Sequence, residues 1–138
     1  MNDTTMITVL VIEPGKIPYE KQIHTGLTAL QEEVDGLIQC TYPYEDPVAI
    51  VCNDEGKLNG YPLNRALRDE DGEIYDIIAG TFLIVQLAYD NFTSLSKELS
   101  QKYTELFRYP EIFYWSNGRI AVHSMKEHKT CRPDNTSL

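Results

Sequence analysis

The sequence predicts an α+β domain with a mainly antiparallel sheet of about six strands, two helices and a hairpin at each end. Three observations point there. Short apolar or alternating segments with strand spacing outnumber segments with helical spacing. Tight turn signals join neighbours at both ends of the chain, Glu13-Pro14-Gly15-Lys16 near the start and Ser116-Asn117-Gly118 near the finish. Only two segments repeat apolar residues at helical spacing, and each is bounded by capping or breaking residues.

Met6 to Glu13 (MITVLVIE) is β-branched and apolar, hence a strand. The Pro-Gly pair after it fits a type II turn, proline fixing φ and glycine taking the positive φ. Pro18 to His24 returns as a second strand. Thr25 is placed to cap a helix carrying Leu27, Leu30 and Val34, with Gly36 as its stop. Leu37 to Tyr42 and Pro47 to Asn53 read as strands, the second so apolar that it belongs in a covered, central position. Asp54 to Lys57 and Asn59-Gly60 are turns, the latter favouring positive φ at both residues. Leu63 to Leu67 reads as a short helical turn, and Glu73 to Leu87 as one long strand bent at Gly80. Ser96 is the N-cap of a second helix with Leu95, Leu99, Tyr103, Leu106 and Phe107 on one face and Pro110 beyond it. Glu111 to Trp115 and Arg119 to His123 form the closing hairpin. One domain over residues 1–124 is expected, with a polar, disordered tail over 125–138.

The 138 residues suffice for a real core without staples, and 42% hydrophobic with 24% charged residues is ordinary for a globular domain. Cys40, Cys52 and Cys131 are an odd, scattered set, which argues for reduced thiols and a cytoplasmic compartment rather than a disulfide framework. No apolar run approaches the length of a membrane span, and the N-terminus lacks a signal-peptide layout. The net charge of −9 is unevenly placed: residues 32–76 hold twelve acids against three bases. That surface repels nucleic acid and suits a basic protein partner, although a solvated acidic face is the plainer explanation.

Several chemistries lack their residues. Asp69-Glu70-Asp71-Gly72-Glu73 brings glycine too early for a calcium loop. His123, His128 and Cys131 fall in or beside the expected tail and make a poor zinc set. There is no phosphate loop, no dinucleotide fingerprint and no nucleophile elbow. His24 reads as a polar residue at an element boundary. No catalytic residue, metal ligand or cofactor is therefore assigned.

What remains is Asn53 with the segment Gly60-Tyr61-Pro62-Leu63-Asn64-Arg65. An amide, a phenol ring and a guanidinium held together can grip an anion or a nucleobase, so Asn53, Tyr61, Asn64 and Arg65 are the candidate ligand-binding residues, with Arg68 as second cation. The competing explanation is structural: Arg65 pairing with Asp69 at i,i+4 and Asn64 capping a turn.

The stretch Pro43–Phe82, PYEDPVAIVCNDEGKLNGYPLNRALRDEDGEIYDIIAGTF, together with the strand-Pro-Gly-Lys opening, resembles the uncharacterised domain-of-unknown-function family 3846. The similarity runs from about Met6 to Phe107 and leaves out the closing hairpin. It implies an accessory protein of a phage, plasmid or other mobile element, working inside the host cell, and brings no activity with it.

The expectation from these readings is a non-enzymatic binding protein in the host cytoplasm. Its partner is a small anionic or nucleotide-like ligand, or a host protein, met at residues 53–65. Alternatives are an acidic decoy for a nucleic-acid-binding host protein, a nucleotide-acting enzyme without a recognisable motif, and a subunit that self-associates through the hairpin bearing Tyr114 and Trp115.

Overall fold

Strands apolar on both sides need a cover on each face, and the chain supplies two different ones. The computed structural model describes residues 5–125. Its elements run β1 (Met6–Ile12), β2 (Tyr19–His24), α1 (Leu27–Val34), β3 (Ile38–Thr41), β4 (Val48–Asn53), β5 (Leu63–Arg68), β6 (Ile74–Ala79), β7 (Phe82–Leu87), β8 (Phe92–Thr93), α2 (Lys97–Leu106), β9 (Glu111–Ser116) and β10 (Arg119–Ser124). The fold is α+β, and each strand pair is antiparallel. The main sheet has six strands in the order β2-β1-β7-β4-β3, with β8 pairing β7, while β5-β6 and β9-β10 form separate two-stranded ribbons.

Strand alternation divides the core in two. Leu10, Ile12, Val48, Ile50, Cys52, Phe82 and Ile84 face one way and meet Leu67, Ile78, Tyr103 and Phe107 from the β5-β6 ribbon and α2. Ile7, Val9, Val11, Ala49, Val51, Leu83 and Val85 face the other way and meet Leu30 and Val34 of α1. The central strands β1, β4 and β7 are thus covered on both sides, which explains their unbroken apolar character.

Four local expectations need correction. Leu63 to Arg68 is a strand, not a helical turn: Asn64 to Leu67 are buried, and Leu63 and Arg65 to Arg68 pair with β6 around an irregularity at Asn64. Glu73 to Leu87 is not one strand. Gly80 turns the chain at φ +82°, with its amide bonded to the Pro62 carbonyl at 2.7 Å, and sends β6 and β7 into different sheets. A Cβ at Gly80 would stand 2.8 Å from Tyr61 Cδ2, so the turn also requires the missing side chain. At α1 the residues shift by one: Gly26, not Thr25, is the N-cap, and Asp35, not Gly36, takes the left-handed conformation at φ 65°. Ser96 caps α2 as expected, its hydroxyl accepting from the Leu99 amide at 3.2 Å. Of the expected 125–138 tail, all but Met125 lies outside the described residues.

Helix α2 is tied across the sheet by Asp46. Its Oδ2 accepts from Lys102 Nζ at 2.6 Å and from the Tyr103 hydroxyl at 2.7 Å. The bonds from Lys102 and then Tyr103 hold the Asp46 carboxyl below the usual aspartate value. A depressed folded-state pKa stabilises above the unfolded value and is lost as pH falls through the folded one. Acid titration should therefore loosen α2 below about pH 4, and Asp46→Asn should flatten that limb when unfolding is followed by circular dichroism from pH 6 to 2.

Candidate functional site

The four residues singled out by sequence do not converge on one concavity. They divide into two pairs, and each pair holds the C-terminal end of one helix. A helix ends with backbone carbonyls that have no partner within it. At α1, Asn53 Nδ2 donates to the carbonyls of Val34 at 3.0 Å and Asp35 at 3.1 Å, while its Oδ1 accepts from the Glu55 amide at 2.8 Å. Tyr61 joins from the opposite loop, its hydroxyl 3.0 Å from Asp35 Oδ2. That bond, ahead of burial, raises the Tyr61 phenol above its ordinary pKa.

At α2, Arg65 Nε and Nη2 both donate to the Phe107 carbonyl, at 3.1 and 2.9 Å. Nη2 also reaches the Lys16 carbonyl at 2.7 Å, and Nη1 the Asn64 side-chain oxygen at 2.8 Å. Asn64 Nδ2 in turn donates to the carbonyls of Ile12 at 2.9 Å and Gly80 at 2.8 Å. Asn64 is 0% and Arg65 1% exposed. The predicted grip on a soluble anion therefore gives way to an internal fork. Nor does Arg65 bond Asp69, because on a strand residues four apart are not neighbours as they are on a helix. Burial draws the Arg65 pKa down and Glu111 draws it up, but an arginine stays cationic at any physiological pH. The negative end of the α2 dipole at Phe107 is its counter-field.

Sequence reading missed two anchoring acids. Glu111 Oε1 accepts from the Ala66 amide at 2.8 Å and Oε2 pairs with Arg68 at 3.1 Å, which docks the last ribbon on β5 and occupies the second candidate cation. Asp35 receives Tyr61. Neither had a sequence signal, since both meet partners far away in the chain.

Among the described residues, no group of three or more His, Cys, Asp or Glu could hold a metal ion. Burial raises the thiol pKa of both Cys40 and Cys52, the direction opposite to that of an activated thiolate. No described helix is long and apolar enough to cross a membrane. Beside Asn53 lies a cavity of about 140 Å³ lined by Gln39, Cys52, Glu55, Lys57 and Asp76. Lys57 there is paired with Asp76 at 2.6 Å. That volume is well short of the roughly 300–1,000 Å³ of ordinary small-molecule sites.

A wider groove of about 670 Å³ opens on the acidic side of the domain, between Tyr44 and Glu45 before β4 and the Arg68–Tyr75 hairpin, where Arg68 also lines it but is paired with Glu111. Asp69 Oδ1 fixes that hairpin by accepting from the amides of Asp71 at 2.9 Å and Glu73 at 3.0 Å. The Tyr44 ring is braced on Tyr103, centroids 5.0 Å apart, and Tyr75 on the other wall is 55% exposed. Glu45, Glu70 and Asp71 are exposed around it. Burial, then the neighbouring Tyr75, holds the Tyr44 phenol neutral to high pH. Carboxylates set between two tyrosine faces suit a guanidinium or ammonium group, which can bond the acids and stack on the rings.

No curated protein and no solved structure matches the chain. A family model described as a domain of unknown function, DUF3846, matches residues 7–108, which takes in the main sheet, the β5-β6 ribbon and both helices and stops before β9. The chain belongs to the DUF3846 family of domains of unknown function.

Proposed function

We propose that this protein is a small, non-catalytic accessory protein of a mobile element that works in the host cytoplasm by binding a basic protein partner. The groove between Tyr44 and Tyr75 carries this reading. It lies within the segment that holds the chain's acidic excess, and it offers both carboxylates and aromatic faces. A nucleic-acid-binding host protein, whose lysines and arginines normally meet phosphates, is the fitting partner class. The nucleotide-like ligand at residues 53–65 is the weaker alternative, because Asn53, Asn64 and Arg65 spend their polar atoms inside the fold.

Anisotropy with a labelled arginine-rich peptide tests this. Binding should weaken steeply with salt, since exposed charges are screened over roughly 8–10 Å. Glu45→Gln, Glu70→Gln and Asp71→Asn together should weaken it about three- to 150-fold, at ~0.2–1 kcal/mol per exposed pair. Affinity unchanged by the triple substitution, in a protein of unchanged circular dichroism, would move the partner off this groove.

A further inference from the structure

The two edges of the main sheet are guarded unequally. At one edge β2 carries Glu20, Lys21 and His24, charges of the kind that keep an edge from pairing with another chain. At the other, β3 reads Ile38-Gln39-Cys40-Thr41, with no charge and no proline, and among the described residues no strand pairs with its outer side. Its outward backbone groups follow from the ladder. The Asp54 amide donates to the Leu37 carbonyl at 2.8 Å, and the register sets Gln39 opposite Cys52 and Thr41 opposite Ile50. Hydrogen-bonded pairs alternate along an antiparallel ladder, so Leu37, Gln39 and Thr41 bond inward, while Ile38 and Cys40 turn their N–H and C=O groups outward. β4 agrees: the bond from the Leu87 amide to the Pro47 carbonyl gives Ala49 and Val51 to β7 and leaves Ile50 and Cys52 for β3.

We infer that the outer edge of β3 takes an extended basic segment of the protein partner as an added strand. This rests on the reading of a basic partner and names a second contact for it. Charge selects the occupant. Residues 32–56, which contain β3 and β4, hold seven acids and no lysine or arginine. A second copy would bring the same acids to the same edge, whereas a basic segment is attracted to it. The two faces set the pattern of that segment, because side chains alternate across a strand. Ile38 and Cys40 pack on the apolar cluster beneath α1, so the residues alongside them are apolar. Gln39 faces the other way and lines the small cavity with Asp54 and Glu55, both exposed, so the residues between are lysine or arginine. Main-chain bonds then supply affinity and the alternation supplies specificity. β3 ends at Thr41, and the chain reaches the Tyr44 wall of the acidic groove directly after Pro43, so one partner can follow the edge into the groove. The edge is only four residues long, so the complex should be weak and reversible.

Amide hydrogen exchange, read residue by residue by nuclear magnetic resonance, tests this on the unaltered chain. In the free protein Gln39 and Thr41 should be protected, and Ile38 and Cys40 should exchange freely. A saturating short peptide that alternates lysine and valine should slow exchange at Ile38 and Cys40 by about tenfold or more and leave Gln39 and Thr41 as they were. N-methylation of every second peptide residue keeps the charges and removes those donors, so one of the two alternate sets should abolish the effect. Four results overturn the inference. Binding of this peptide or of the arginine-rich one that leaves Ile38 and Cys40 exchanging freely removes the added strand and leaves the groove reading intact. Failure of both peptides to bind removes the two readings together. Protection that survives both N-methylated sets means that no strand has been added. Protection at Ile38 and Cys40 that rises with the concentration of the chain alone puts a second copy on the edge.

Discussion

Arg65→Ala is expected to destabilise the fold by about 3–5 kcal/mol, a large share of the ~5–15 kcal/mol that holds an ordinary domain together. The guanidinium is the meeting point of three segments: the turn after β1 through Lys16, β5 through Asn64, and the end of α2 through Phe107. Its removal leaves those buried acceptors without donors at about 1–3 kcal/mol each, partly offset by water that enters the space. Arg65→Lys should recover only part of the loss. A single ammonium keeps the charge but cannot spread donors across a plane to the Phe107 and Lys16 carbonyls and the Asn64 side chain at once. Urea unfolding followed by circular dichroism measures both. Because Asn64 holds Nη1, Asn64→Ala combined with Arg65→Ala should cost less than the two changes summed. A loss under about 1 kcal/mol for Arg65→Ala would mean that the fork does not hold the helix end.

The same residue shows where sequence reading reaches its limit. Alternation and turn chemistry were legible because they are local: β1, β2, β3, β4, the type II turn at Gly15 and the Ser96 cap all follow from neighbours within a few positions. So did the choice of Asn53, Tyr61, Asn64 and Arg65 as residues whose chemistry exceeds what a loop needs. Their purpose was not legible, because it depends on which carbonyls arrive opposite them. Arg65 meets Phe107, 42 positions on, and Asn64 meets Ile12, 52 positions back. The break between β6 and β7 was hidden for a related reason. Ile77, Ile78, Phe82 and Leu83 continue one apolar run, yet Gly80 turns between two sheets that meet, through Ile78 and Phe82, in one of the two core clusters. The acidic groove was half visible: its charge stands in the sequence, but the tyrosine walls come together only when Tyr44 is packed on Tyr103.

Asn53→Asp should be nearly as damaging, at about 2–4 kcal/mol near neutral pH, although it changes no volume. The Asn53 amide nitrogen points at the Val34 and Asp35 carbonyls, where the dipole of α1 is negative. A carboxylate there replaces two donated bonds with repulsion between oxygens, and only the bond from the Glu55 amide survives. The pH dependence should then run opposite to that set by Asp46. The introduced carboxyl favours its protonated form in the fold, so its folded-state pKa is raised above the unfolded value. Its cost is greatest above the folded pKa and disappears below the unfolded one. Asn53→Asp should therefore approach the unaltered protein in stability as pH falls from 7 to 4, in parallel urea titrations of the two proteins. A deficit that stays constant over that range would assign the loss to the missing donor alone, with no part for the field at the end of α1.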